Sequence, residues 1–151
     1  MIATGLIPDD IDRCIDLWVD ALRHRDGFAD AHALAERMRH HFDSTVVRFA
    51  LSGQPLAGFA LTVARDDGSR TAVLERIAVR PQSAGLGIGR ALLADAIGSA
   101  KAAGYVSLEL AVRTGNTAVH LYEKAGFLPA SVPVPHELGG QPMVTYRLGL
   151  R

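Results

Sequence analysis

The run Val79-Arg80-Pro81-Gln82-Ser83-Ala84-Gly85-Leu86-Gly87-Ile88-Gly89-Arg90-Ala91-Leu92-Leu93 joins an apolar strand, alternating glycines and the start of a helix. Glycines at 85, 87 and 89 carry no Cβ to hold a ligand away, so the backbone can turn tightly and present its amides. Arg90 to Ala103 reads as a helix. The loop then brings free N–H groups and the positive end of a helix dipole to one point, which is a device for binding phosphate. A dinucleotide fingerprint would need its third glycine at position 90, where Arg90 stands. Glu109 lies near the distance expected of a ribose-binding acid, but the first condition already fails. A P-loop would need Lys and a hydroxyl after its last glycine, and Gly89 is followed by Arg90 and Ala91.

A second motif stands further along the chain, Leu121-Tyr122-Glu123-Lys124-Ala125-Gly126-Phe127. Together with Ile77-Ala78-Val79-Arg80-Pro81 and the glycine loop, in this order and separation, it resembles the two signatures of the GNAT N-acetyltransferase superfamily. The resemblance covers residues 74 to 128 well, the first 70 residues only in their pattern of elements, and the last 20 barely. It implies an acyl-CoA N-acyltransferase fold, in which acetyl-CoA lies where two parallel strands splay apart. The pyrophosphate would take amides from the loop residues Ala84, Gly85, Leu86, Gly87, Ile88, Gly89 and Arg90. The pantetheine would add like a short strand beside Ile77, Ala78 and Val79, and an amide there would polarise the thioester carbonyl. Tyr122 would be the acid that protonates the departing thiolate, and Asn116 would hydrogen-bond the pantetheine. No metal is implied.

The implied reaction, attack of an amine on the thioester, poses a proton problem. Freeing a lysine-like amine of pKa about 10.4 at pH 7 costs roughly 4–5 kcal/mol, against about 1 kcal/mol for an α-amine. Glu75, on the strand ahead of the loop, is the candidate base, although the ordinary reading of such a residue is a salt-bridged strand carboxylate. Tyr122 shares a helical face with Ala118, Leu121 and Ala125, so a core residue is the alternative reading of it. Asn116 can equally be an N-cap. Two positions depart from the family pattern: Ala84 stands where Gln or Arg is usual, and Gly115 where the family's asparagine falls, with Asn116 one residue closer to the tyrosine.

Around these residues the elements follow from pattern. Met1–Ile7 reads as a strand. Pro8-Asp9-Asp10 opens a helix with Ile11, Cys14, Ile15, Trp18 and Leu22 on one face, ended by Gly27. Asp30–His41 reads as a helix with Ala31, Leu34, Ala35 and Met38 inward. Val46–Leu51 and Leu56–Ala64 form a hairpin, and Thr71–Val79 is a strand. Gly104 stops the loop's helix, and Tyr105–Val112 should lie parallel to Thr71–Val79 because a crossover helix joins them. Thr117–Ala125 is a short helix, with Phe127–Val134 and Met143–Leu150 as the last strands. The expected fold class is α+β: a mixed central sheet with helices on both faces.

At 151 residues the chain has the size of one domain, with sixteen acidic against sixteen basic residues. That balance argues against nucleic acid and anionic membrane as partners. Cys14 is the only cysteine, which suits a reducing cytoplasm, and no run has the length of a membrane span. No signal-peptide pattern opens the sequence. His24, His32, His40 and His41 lie on helices, and His120 should face solvent. None is read as a metal ligand, because no pair of them shows i, i+4 spacing with a carboxylate partner.

The expected activity is therefore acetyl transfer from acetyl-CoA to a primary amine on a small molecule or peptide. The alternatives are a CoA-binding sensor or interaction module that has lost turnover, and a dimerisation partner using the loop only as structure. Specificity would come from residues 23–43 and 129–146, where Asp26, Asp30, Asp43 and Glu137 could meet a cationic amine and the four helix histidines could line the groove. The C-terminal strand offers an edge through which a homodimer could form.

Overall fold

The computed structural model describes residues 2–136 and 140–150. Its elements in chain order are β1 (Ile2–Thr4), α1 (Ile11–Asp26), α2 (Ala31–His41), β2 (Val46–Ser52), β3 (Gly58–Ala64), β4 (Thr71–Val79), α3 (Ile88–Ala102), β5 (Ser107–Arg113), α4 (Val119–Lys124), β6 (Leu128–Pro129), β7 (Val134–Pro135) and β8 (Pro142–Gly149). One sheet runs in the order β1-β2-β3-β4-β5-β8-β6, with β7 also on β8. All its pairs are antiparallel except β4 with β5.

Local chemistry sets the helix ends. The Asp30 carboxylate accepts from the Ala33 amide at 3.1 Å and starts α2. Gly27 closes α1 in the left-handed region, donating to the Arg23 carbonyl at 2.7 Å. The α1 face read from sequence is the one that packs: Ile11, Cys14, Ile15 and Trp18 are buried, and Leu22 lies against them. With Met38 of α2 they cover Phe49, Phe59 and Leu61 on one side of the sheet. Leu92, Leu93, Ala96 and Ala100 of α3 cover the other side, with Tyr122 and Phe127. Burying each large side chain of this kind contributes about 1.5–3 kcal/mol.

β4 and β5 pair only at Thr71–Val73 with Ser107–Glu109. Beyond that point each strand stays with its other neighbour, β4 with β3 out to Val79–Gly58 and β5 with β8 out to Arg113–Met143. The sheet opens as two ribbons, and the backbone of residues 74–79 has no partner strand on its β5 side. A β-bulge helps to open it. Arg76 pairs with Leu61 and Leu74 with Thr62, so Glu75 is the extra residue of β4. Bulges bend a strand and increase its twist.

Several expectations need correcting. The strand expected over Phe127–Val134 is two short pieces, β6 and β7, because Pro129, Pro133 and Pro135 lack the N–H a continuous ladder requires. Both lie on the outer side of β8, and Ala130 donates to the Thr145 carbonyl there. The C-terminal strand is therefore covered and does not offer the free edge expected for a dimer. Ala31 is exposed, since α2 turns Leu34, Ala35 and Met38 inward without it. The helix expected from Arg90 begins two residues earlier, at Ile88.

Candidate active site

After β4, the Arg80 amide and Nε donate to the carbonyls of Ala57 and Leu56, at 2.7 and 2.9 Å, and hold the loop's root. A single 3-10 turn, Pro81–Ser83, leads to an extended, exposed Ala84. Gly85 and Gly87 then adopt φ of +81° and +79°, with nothing within 4 Å of where a Cβ would stand. They are required by backbone conformation rather than by crowding. Gly89 corrects the reading of three turn-making glycines: it lies in the first turn of α3 at ordinary φ, and a Cβ there would meet Val79 and Leu121 at 3.7 and 3.8 Å. Among the described residues, the amides of Gly85 through Arg90 donate to no backbone carbonyl; the first intrahelical bond is Ala91 to Gly87 at 3.0 Å. Gly58 brings this helix close to β3, since a Cβ on it would stand 2.9 Å from Ile88 Cγ2. The cradle of open amides at the N-terminus of a long helix fits a pyrophosphate, with Leu86 and Arg90 exposed on its rim.

A cleft of about 430 Å³ occupies the splay. It brings together the predicted Glu75, Ile77, Ala78, Val79, Asn116 and Tyr122, from one strand, a loop and a helix separate in sequence. The loop residues from 84 to 90 are not in its lining, and they join it where Gly89 meets Val79. Tyr122 is both core and cleft wall: 6% exposed, edge-on to Phe127, yet lining the opening. Burial raises its phenol pKa, so the hydroxyl stays protonated at neutral pH. Asn116 Oδ1 accepts from the Ala118 amide at 2.9 Å, a turn that leads into α4, so its carbonyl end is engaged locally.

The bulge sets the polar wall of the cleft. Ala72, Leu74 and Ile77 pack on the α3 side of the sheet, and Val73 and Ala78 on the α1 and α2 side. The extra residue lets consecutive Glu75 and Arg76 both reach the α1 and α2 side. Glu75 Oε2 lies 2.6 Å from His41 Nδ1 of α2. The Arg76 guanidinium stacks 3.9 Å from the centre of the Trp18 ring of α1. Burial pushes the Glu75 carboxyl pKa up, but the His41 hydrogen bond, with the charges of His41, Arg76 and Arg37, outweighs it and holds the pKa below the usual value. Burial brings the Arg76 pKa down to about 10, helped by Arg37 and opposed by Glu75, so the group stays cationic at neutral pH. Arg76 and Trp18 were not singled out from sequence as site residues, and His41 only as one of the four helix histidines expected to line the groove. The signal available was the charged pair Glu75-Arg76 inside an otherwise apolar strand.

The other charged candidates are placed differently from expectation. Asp26 lines the cleft but is paired with Arg25 at 3.0 Å and Arg113 at 3.8 Å. Asp30 caps α2, Asp43 faces His40, and Glu137 lies outside the described residues. None of the four helix histidines lines the cleft; His136 does. His120 faces solvent as expected. His32 lies 3.0 Å from the Glu36 carboxylate on the same helix, and both are exposed. Among the described residues no group of three or more His, Cys, Asp or Glu could hold a metal ion. Glu109 is buried and bonded to Arg65 and Arg147, so it is no ribose ligand.

The acetyltransferase (GNAT) family model matches residues 11–127. The chain belongs to this family. No curated protein matches its sequence. Among solved structures it is similar to a GNAT-family chain from Desulfovibrio desulfuricans, with 22% identity, TM-score 0.79, and 100% and 99% of the two chains covered. It is similar to the ribosomal-protein-S18-alanine N-acetyltransferase of Escherichia coli, with 24% identity, TM-score 0.76, and 99% and 93% coverage. It is also similar to yncA of Salmonella typhimurium, solved with its cofactor acetyl-CoA, with 19% identity, TM-score 0.77, and 100% and 94% coverage. These likenesses are likenesses of fold. No helix among the described residues is long and apolar enough to cross a membrane.

Proposed function

We propose that the chain is a single acetyl-CoA-binding domain that transfers an acetyl group to a primary amine by direct attack on the thioester. One observation carries this reading: the splay of β4 from β5 puts Tyr122, Glu75 and unpaired β4 backbone in one cleft, beside a cradle of open amides. When bound, acetyl-CoA supplies an acetyl group already activated as a thioester. The amides of Gly85 to Arg90 bind its pyrophosphate, and the absence of a polar side chain at Ala84 leaves that work to the backbone. The β4 backbone over Ile77, Ala78 and Val79 takes the pantetheine as an added strand and polarises the carbonyl. The side-chain nitrogen of Asn116 faces the same ligand. Glu75, kept ionised by His41, receives the proton of the acceptor amine. Tyr122 holds its proton at the phenol oxygen and gives it to the departing thiolate. Buried, free Cys14, its thiol pushed up to about 12 by burial, suits a reducing cytoplasm as the location.

Thermal unfolding with acetyl-CoA, with ATP and NAD as controls, tests the cofactor. At a hundred times Kd a specific ligand adds about 2.7 kcal/mol, a rise of about 5–10 °C for this chain length. Thiol release across an amine panel then tests transfer. A shift with acetyl-CoA but no thiol release with any amine would instead favour a binding module.

A further inference from the structure

Arg76 lines the cleft as a cation with no ion-paired carboxylate among the described residues. Among the described residues no carboxylate lies within 4.0 Å of its guanidinium, and its Nε is buried with no hydrogen-bond partner. The neighbouring Glu75 carboxylate turns Oε2 to His41 rather than to Arg76, and Asp26 is paired with Arg25 and Arg113. Stacking on Trp18 covers a face of the guanidinium, whereas its N–H donors lie in the plane of the fork. That plane is where a carboxylate binds, by two parallel hydrogen bonds. A half-buried guanidinium without an acceptor costs stability, and a ligand that satisfies it recovers that cost on binding.

We infer that Arg76 recognises a carboxylate on the acceptor, and that the acceptor is an amino-acid-like amine with its carboxylate close to the reacting nitrogen. The inference rests on the acetyltransferase reading above and names the substrate class of the same cleft. The bulge puts an anion, Glu75, and a cation, Arg76, next to each other on one face. A molecule carrying an ammonium and a carboxylate on neighbouring atoms matches that pair in sign and order. A polycationic acceptor would bring further positive charge to a cleft whose described lining already holds Arg25, Arg37, Arg76 and Arg113 against Asp26 and Glu75.

The test compares the standard amino acids with their carboxamides and with the matching decarboxylated amines. Thiol release gives kcat and KM, and acetyl-CoA binding is followed in parallel by thermal shift. The expected result is a kcat/KM about 10- to 100-fold higher for the acids, carried by KM. Arg76→Gln should abolish that preference while keeping the acetyl-CoA shift, and Arg76→Lys should keep part of it. If carboxamides or decarboxylated amines are used as well as the acids, the inference is overturned and the transferase reading stands. If no amine of any class reacts although acetyl-CoA binds, the inference is overturned as well. If acetyl-CoA itself does not bind, both readings fall.

Discussion

His41 Nδ1 and Glu75 Oε2 stand 2.6 Å apart, tying the last turn of α2 to the bulge of β4. The contact fixes the direction of the one carboxylate that the cleft presents next to Arg76. It also holds the carboxyl pKa below its ordinary value, against burial, which raises it. Glu75 is thus paired, as a salt-bridged strand carboxylate would be, and it also lines the cleft.

Glu75→Gln should retain the acetyl-CoA thermal shift and lower kcat. General-base assistance typically contributes about 10²- to 10⁴-fold. The loss should be larger for a lysine-like amine than for an α-amine, because the first has more proton affinity to overcome. Steady-state kinetics with one acceptor of each kind measures this. Equal losses for both would remove the proton-accepting role.

Tyr122→Phe deletes one hydroxyl from a buried ring that packs on Phe127, so the fold should be nearly unaffected. Its kcat should fall about 100-fold or more, with unchanged affinity for acetyl-CoA. Full activity in the variant would leave Tyr122 as a packing residue only.

The loop glycines should divide by φ. Gly87→Ala forces a Cβ into the left-handed region and should cost about 1–2 kcal/mol of stability. Gly89→Ala sits in a helical turn with ordinary contacts and should gain about 0.5–1 kcal/mol. Urea unfolding of the two proteins without ligand makes the comparison.

Glu109 is buried and bonded to Arg65 and Arg147, and those bonds outweigh burial to hold its carboxyl pKa below the ordinary value. A depressed carboxyl stabilises the fold above its unfolded pKa, about 4.3, and that stability is lost as pH falls through the lower folded value. Both arginines are partly exposed and screened, so Glu109→Gln should cost only about 1–2 kcal/mol at pH 7. Melting curves from pH 7 down to about pH 3 should show the variant and the native chain converging at the acid end. A constant gap across that range would mean that charge is not the source of the effect.

Periodicity and turn chemistry by themselves determined the helix faces, the strand that lines the cleft and the glycine loop. These depend on neighbours a few residues apart, such as Asp30 with the Ala33 amide, or the apolar row Ile11, Cys14, Ile15 and Trp18. The pairing of the two motifs then led to the family. The prolines at 129, 133 and 135 were visible too, but their consequence depended on β8 lying alongside to be covered. Only the tertiary structure decided which charged residues meet. Side-chain direction in a strand has a period of two, and one inserted residue reverses it for everything that follows. The bulge at Glu75 is set by the register of β4 against β3, which no local pattern encodes. That register turns Glu75 to His41 and Arg76 to Trp18, partners 34 and 58 residues earlier in the chain.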